Sequence, residues 1–429
     1  MAYVSARCLQ KEKRYKDMSD HIDHLKLDRL AEVAVRTGVN LAQGQELVIT
    51  APIEALPLVR RIAVHAYKAG ATLVTPIFSD GKITKARYEY GADASFDTAP
   101  AWMFEGLGAA FSSGAARMAI TGDDPMLLAE QDPEKVARVG KATSIAAKPA
   151  MKPIVGFEVN WNIVAYPTLG WAAKVFPDLP VADAQARLMD AIYDASRVNG
   201  DNPAQNWKDH TDELKKRVRW LNEQNFDALQ YTGPGTDLRL GLAEGHIWKG
   251  GASPARNGIV CQPNIPTEEV FTCPHAYKVD GTVSATKPLA HQGTVIEDIF
   301  VRFQAGKVVE ATASKGQDVL RSLLITDDGA GRIGEVALVP HSSPISQSGI
   351  LFYNTLFDEN ASCHIALGQC YADTIEGGSV LSPEELQQKG GNQSIIHVDW
   401  MIGSDAVDID GITLNGELVS VMRGGEWAF

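Results

Sequence analysis

The segment ELVITAPIEALPLVRRIAVHAYKAGATLVTPI, residues 46–77, indicates the fold class of the first half of the chain. Residues 46–50 are an apolar run typical of a buried strand. Residues 53–68 carry apolar positions at helical spacing before Gly70, and residues 71–77 form a second apolar run. Parallel strands need a helical crossover, so this order predicts a βαβ unit and a parallel sheet.

The alternation continues on both sides of that segment and then changes. Helices are predicted over residues 23–37, 133–148, 182–198 and 204–222, and strands over residues 117–121 and 161–166. Later residues form short strands broken by Gly and Pro, at 237–242, 246–249, 269–273 and 294–303. We therefore expect an α/β N-terminal domain with a mostly parallel open sheet (18–230), followed by a β-rich α+β domain (231–429). Residues 1–17 are expected to be a disordered extension.

Composition favours a globular protein that binds cations rather than nucleic acid. The 429 residues are 45% hydrophobic and 22% charged, with a net charge of −13. Residues 261–429 hold 9 Lys and Arg against 22 Asp and Glu, so the acidic excess lies in the last part of the chain. An acidic surface repels phosphate backbones. Five scattered cysteines, with no secretory signal and no membrane span expected, favour a cytoplasmic location.

An H-x-D pair lies in SIIHVDWMIG, residues 394–403. Because side chains alternate along a strand, His397 and Asp399 are expected on one face, with their Cα atoms about 7 Å apart. Imidazole and carboxylate groups are usual ligands of first-row metals. A surface salt bridge on an edge strand is the alternative.

Two further segments place carboxylates among apolar residues. In IGEVALV, residues 333–339, Glu335 is the only charge, and a buried carboxylate needs a cation or a partner such as Arg332. In FDENASCHIALGQCY, residues 357–371, three potential ligands and no basic residue occur together: Asp358, Glu359 and His364. A solvated loop is the alternative for this segment.

A fourth acidic segment is PTEEVFTCP, residues 266–274. Strand alternation sends Glu268 and Glu269 to opposite faces, so only one of them is expected to enter a common pocket directly. Residues 329–334 match G-x-G-x-x-G, but a strand rather than a helix is expected after them, so we reject a dinucleotide site there.

Together these segments supply four carboxylates and two imidazoles, which is more negative charge than one divalent ion neutralises. Two ions roughly 3.5–4 Å apart fit such a set better, and a site of this kind activates water for amide hydrolysis. The residues in the set are Glu269, Glu335, Glu359, His364, His397 and Asp399.

The motifs PTEEVFT, IGE, DENASCHIALG with Tyr371 after it, and HVDWMIG resemble the metal-binding motifs of the aminopeptidase T and aminopeptidase S family of thermophilic-type metallopeptidases. The resemblance implies a homodimeric aminopeptidase that acts on peptides with a free N-terminus. From the acidic composition and the lack of a spanning segment, neither a nucleic-acid nor a membrane partner is expected. The resemblance also implies that the C-terminal domain is catalytic and binds two divalent ions, cobalt, zinc or magnesium.

By this resemblance the six residues named above are the metal ligands and Tyr371 is the active-site tyrosine. Glu268 is either a proton shuttle or a supporting carboxylate, and strand alternation slightly favours the second role. Two other functions stay open at this point. One is a mononuclear non-haem iron oxygenase, and the other is a non-catalytic assembly protein stabilised by metal.

Overall fold

The structure is a computed structural model that describes residues 22–291 and 294–429. The predicted disordered extension, residues 1–17, lies outside the described residues. The chain divides into two compact units. The first runs to Trp207 and includes Ser253–Ile265, and the second comprises Lys208–Ala252 and Pro266–Phe429. No helix in the described part of the chain is long and apolar enough to cross a membrane.

A four-stranded parallel sheet forms the centre of the first unit. Its strands are β1 (Glu46–Pro52), β2 (Leu73–Ser79), β3 (Ala116–Thr121) and β4 (Trp161–Ala165). Their order in the sheet is β2-β1-β3-β4. The helices are α1 (His24–Val33), α2 (Leu56–Lys68), α3 (Gly81–Tyr90), α4 (Ala101–Ser112), α5 (Pro133–Val155), α6 (Leu169–Val175) and α7 (Val181–Ala195). The predicted βαβ unit is confirmed, since β1 and β2 pair in parallel with α2 between them.

The long helix α8 (Pro203–Gln224) crosses the division between the units. Residues 208–224 of this helix belong to the second unit, and Leu214 and Leu221 are buried in that unit's core. The two units thus divide the chain within α8. The predicted boundary at residues 230 and 231 stays a prediction.

An antiparallel sheet of eight strands and a second one of four strands build the second unit. The eight-stranded sheet has the order β14-β13-β10-β6-β5-β18-β19-β20, and the four-stranded sheet has the order β17-β16-β15-β9. The first sheet contains β5 (Ala228–Gly233), β6 (Thr236–Leu242), β10 (Pro274–Ser284), β13 (Phe300–Gln304), β14 (Lys307–Thr312), β18 (Asp408–Ile412), β19 (Leu418–Arg423) and β20 (Glu426–Trp427). The second contains β9 (Val270–Thr272), β15 (Ile333–Leu338), β16 (His364–Gly368) and β17 (His397–Met401).

Short elements complete both units. The first unit includes a ladder of β7 (Ser253–Pro254) and β8 (Val260–Cys261), and the second includes a ladder of β11 (Leu289–His291) and β12 (Thr294–Ile296). The remaining helices are α9 (Gln317–Leu324), α10 (Pro344–Ser348), α11 (Thr355–Asp358) and α12 (Pro383–Gln388). An α/β region with a parallel sheet followed by a β-rich region is the predicted fold class, and it is confirmed.

Three predicted elements differ from the structure. Helix α5 continues past residue 148 with Pro149 and Pro153 inside it, because Ala150 and Ile154 pack into an apolar cluster and offset the lost backbone bonds. Residues 246–249 make only isolated bridges rather than a strand. Residues 294–303 form two strands instead of one, with Asp298 between them at φ +52°.

Candidate metal centre

The register of the four-stranded sheet places the predicted ligands on one face. Glu335 lies opposite Ala366, and Ala366 lies opposite Asp399, so these three side chains share a face. Since side chains alternate, His364 and His397 lie on the same face. Phe271 pairs with Ala337 on that face as well, which places Glu269, two residues before Phe271, on the same side.

The two faces of this sheet differ in character. The opposite face is apolar, and Val336, Ile365 and Trp400 contribute to the main core of the unit. On the ligand-bearing face the positions between the polar groups are small, namely Ala337, Ala366 and Gly368. Small residues leave room above the sheet, so the strands anchor the polar side chains without filling the space between them.

Two groups of three potential ligands have their donor atoms within 4.8 Å of one another. The first group is Glu269, Glu335 and His364, and the second is Glu335, His397 and Asp399. His364 Nε2 lies 3.3 Å from Glu269 Oε2, and His397 Nε2 lies 3.3 Å from Glu335 Oε2. Glu335 belongs to both groups, and its two oxygens face different imidazoles. A carboxylate in this position is suited to bridging two ions.

Glu359 lies in the 3₁₀ turn that follows α11, outside the strands and outside both groups of close donor atoms. Burial and the charges of Glu269 and Asp399 nevertheless raise the pKa of its carboxyl well above the usual value. The ionisation of Glu359 therefore depends on the charges of the cluster. Five of the six predicted ligands lie in the two close groups, and the sixth lies beside them.

The cluster holds its two imidazoles in their charged form. Burial alone would lower the pKa of His364, but the hydrogen bond with Glu269 and neighbouring carboxylates outweigh it and raise the pKa to about 10. His397 behaves alike, and Asp399 and Glu335 raise its pKa to about 11. Burial, with the charges of Asp399 and Glu269, raises the pKa of Glu335 to about 7. The carboxylates of the cluster therefore strongly favour a positive charge between them.

No ion pair in residues 22–291 or 294–429 joins these six groups to a lysine or an arginine. Arg332, the alternative partner of Glu335, donates instead to the carbonyls of Ala276 and Ala305 and lies over the Tyr277 ring. Once ionised, as metal ligation requires, the four carboxyl groups would carry more negative charge than two protonated imidazoles balance. The donor set therefore fits divalent cations, which oxygen and imidazole ligands bind well.

Tyr371 lies at the edge of the cluster and is 47% exposed. Its ring centroid is 4.8 Å from that of His397 and 6.0 Å from that of Phe271. Loss of hydration and the charges of Glu335 and Asp399 raise the pKa of its hydroxyl, so this group stays a hydrogen-bond donor. A phenol here can donate to a developing oxyanion.

Asp358 organises a turn and is in neither ligand group. Its carboxylate accepts hydrogen bonds from the backbone N–H groups of Phe352 and Asn354, at 2.8 and 2.9 Å. Burial is the largest influence on this group and raises its pKa to about 7. Asp358 therefore fixes the chain direction just before Glu359.

Two polar residues beside the cluster are not predicted from the sequence. His210, from α8, has its Nε2 atom 2.7 Å from Thr267 O and 3.8 Å from Glu268 Oε2, and Glu268 is only 2% exposed. Asn360 is fully buried and hydrogen-bonds the backbone of Glu268. The position of Asn360 between Glu359 and His364 could have indicated its place in the site. No local sequence pattern indicates one for His210.

Several known proteins are similar to this chain over most of its length. The chain is 50% identical over 401 residues to "Aminopeptidase T" of Thermus aquaticus, covering 94% of this chain and 98% of that protein. It is 44% identical over 404 residues to "Aminopeptidase AmpS" of Bacillus subtilis (strain 168), with the same coverage. The solved structure "Wild-type AmpT from Thermus thermophilus" matches with a TM-score of 0.90 and 48% identity, covering 94% of this chain and 99% of that one.

The profile of the family described as "Thermophilic metalloprotease (M29)" matches residues 23–427, which is nearly the whole chain. With a profile match of this length and relatives near 50% identity, the chain belongs to the thermophilic metalloprotease (M29) family.

Proposed function

We propose that this chain is an aminopeptidase that removes N-terminal residues from peptides, with two divalent ions bound by Glu269, Glu335, Glu359, His364, His397 and Asp399. The observation that carries the proposal is the pair of ligand groups that share Glu335 on one face of a sheet. Membership of a metalloprotease family makes the chain a metal-dependent hydrolase. Its exopeptidase activity is inferred from relatives that are named aminopeptidases.

The residues of the cluster have distinct tasks in this proposal. Bound ions would lower the pKa of a water between them and polarise the scissile carbonyl. Glu335 holds the centre of the site, since its two oxygens face both ligand groups. Tyr371 donates a hydrogen bond to the oxyanion that forms at the carbonyl.

A carboxylate or imidazole must also move a proton to the leaving amine. Glu268 is the candidate for this task, because it is buried directly beside Glu269 and has His210 near its carboxylate. The alternative role of Glu268 is to support the ligand Glu269 without contacting the substrate. The C–N bond of the tetrahedral intermediate breaks, and the amine leaves, only when its nitrogen has received that proton.

The acidic cluster also accounts for a preference for substrates with a free N-terminus. A neutral α-amino group can ligate a divalent ion, and a protonated α-amino group is attracted to a carboxylate of the cluster. An N-acetyl group has neither property. Blocked peptides are therefore expected to bind weakly and to remain uncut.

From the family resemblance we propose a homodimer, with cobalt, zinc or magnesium as the working ion. From the scattered cysteines we propose a cytoplasmic location. The family assignment supports neither an iron oxygenase nor a non-catalytic assembly protein. The oxygenase also leaves extra glutamates without a role, since a facial triad needs only one carboxylate.

The experiment is a peptide panel with metal-stripped protein. The purified chain is treated with chelator, dialysed, and supplied with Co²⁺, Zn²⁺, Mg²⁺ or Fe²⁺ singly. We expect release of N-terminal residues from free peptides and no cleavage of their N-acetylated forms. Cleavage of both forms at internal bonds would identify an endopeptidase, and oxygen consumption with Fe²⁺ would support the oxygenase instead.

A further inference from the structure

Asn360 lies between two of the proposed ligands and is fully buried, although no charge or imidazole marks it as part of the site. It follows Glu359 directly in the 3₁₀ turn after α11. The same amide reaches a segment 92 residues earlier in the chain. Its contacts therefore join two parts of the cluster that the sequence separates widely.

The side-chain oxygen of Asn360 accepts a hydrogen bond of 2.7 Å from the backbone N–H of Glu268. That N–H belongs to the residue before Glu269, so the bond fixes the entry of the chain into β9. Glu269 Oε2 lies 3.3 Å from His364 Nε2. A displacement of this backbone would move the Glu269 carboxylate relative to His364.

The side-chain nitrogen of Asn360 makes the complementary contacts. It donates to the carbonyl of Leu356 at 3.0 Å and to Glu359 Oε1 at 3.4 Å. These contacts hold the last turn of α11 and orient the Glu359 carboxylate. In addition, the backbone carbonyl of Asn360 accepts from the hydroxyl of Ser343 at 3.1 Å, which ties the turn to the start of α10.

The chemistry of these partners requires an amide. The Glu268 N–H can only donate, and the Leu356 carbonyl can only accept, so the side chain between them must offer one acceptor and one donor. An aspartate supplies the acceptor but faces a carbonyl and a carboxylate with its second oxygen. A leucine of similar size supplies neither group.

We propose that Asn360 is a positioning residue of the metal centre, which holds Glu269 and Glu359 at the separation that binding of the ions requires. The inference rests on the proposed two-ion site and adds a residue that touches neither ion nor substrate. Partners of this kind outside the ligand set affect metal affinity or activity by about 10–100-fold when they are removed.

The test compares Asn360→Leu with Asn160→Leu in the full chain. Asn160 is also fully buried and bonded through its amide, to the Val39 carbonyl at 2.7 Å, but it lies in the first unit. Both substitutions remove buried hydrogen bonds, so a purely structural role predicts similar losses of thermal stability and no change in metal binding. Each chelator-stripped protein is titrated with Co²⁺ by calorimetry and by the absorption spectrum of the bound ion.

We expect Asn360→Leu to weaken Co²⁺ binding by about 10–100-fold, to change the Co²⁺ spectrum, and to lose activity that excess Co²⁺ restores in part. Asn160→Leu should keep the wild-type affinity. Equal Co²⁺ affinity and spectrum in Asn360→Leu and wild type would overturn the inference, while two bound ions in the wild type would leave the proposed function intact. A wild type that binds no Co²⁺ would overturn both.

Asn360→Asp keeps the side-chain shape and the bond to Glu268, and it serves if the leucine variant does not fold. We expect an altered Co²⁺ spectrum and kcat at least about tenfold lower, because the donor to Leu356 and Glu359 is lost. An unchanged spectrum and kcat in a folded Asp variant would overturn the inference in the same way.

Discussion

Glu335 belongs to both groups of close donor atoms, which distinguishes it from the other five proposed ligands. It is 4% exposed and lies in the middle of a fully buried strand, β15. A single charge among apolar positions predicts a cation or an arginine partner at this residue. The sequence does not predict the bridging position, since that depends on Ala366 and Asp399, which lie 31 and 64 residues further along, in two other strands.

Glu335→Gln should remove activity with the fold retained. The amide has nearly the same shape but one fewer acceptor and no charge, so both proposed ions would lose a ligand. We expect kcat to fall by more than about hundredfold, beyond the range for residues outside the ligand set, and Co²⁺ affinity to fall with it. Peptidase assays and calorimetry check this. Glu417→Gln, an exposed glutamate, is the control, and full activity in Glu335→Gln would exclude a ligand role.

The acidity of the cluster predicts how metal binding depends on pH. Without an ion, His364 and His397 have pKa values raised to about 10 and 11, so both keep their protons from pH 6 to pH 8. Binding must displace these protons, and affinity should therefore rise with pH, by about tenfold per pH unit for each proton released. Calorimetry with Co²⁺ in buffers of different ionisation enthalpy measures the release. Binding without proton release would contradict protonated imidazoles.

Tyr371→Phe should separate catalysis from metal binding. The ring contacts with Phe271 and His397 remain, and only the hydroxyl is lost. We expect kcat to fall by about a hundredfold, as for other oxyanion donors, with little change in KM or in Co²⁺ affinity. Steady-state kinetics on an aminoacyl-p-nitroanilide provide the measurement. A tyrosine that acts only by packing would leave kcat within about twofold.

At the level of elements, much of the site could be predicted because the alternation of side chains along a strand can be read from consecutive residues. The H-x-D spacing placed His397 and Asp399 on one face, and the register confirms it. The ends of helices and strands were less predictable. Helix α5, for example, continues through two prolines because tertiary packing supports it. The Glu268 contacts with His210 and Asn360 join distant elements, so no local pattern reveals them.

A substitution in strand β16 can test whether the sheet positions the ligands. Gly368 pairs with His397 at φ +105°, and a Cβ there would lie 2.1 Å from the Ile396 carbonyl oxygen. Gly368→Ala should therefore cost about 2–6 kcal/mol through backbone strain and overpacking, and should displace His397. Thermal unfolding and Co²⁺ binding measure the two effects. Gly349→Ala also has positive φ but meets no atom within 4 Å, so it should lose stability without weakening Co²⁺ binding.

At the level of the whole molecule, the charge distribution has a structural explanation. The acidic excess lies in residues 261–429, and those residues contribute all six proposed ligands. Composition predicted cations as partners, but it could not show that five carboxylates and imidazoles would meet within two overlapping groups. That arrangement requires β9, β15, β16 and β17 to pair in one sheet, which only the folded chain determines.

Titration of the chelator-stripped chain with Co²⁺, with the rate of leucine-p-nitroanilide hydrolysis measured at each step, tests the two-ion site most directly. We expect no hydrolysis before addition and a rate that reaches its plateau near two equivalents of Co²⁺ per chain. A plateau at one equivalent, or full activity in the stripped protein, would contradict a pair of ions held by these six side chains.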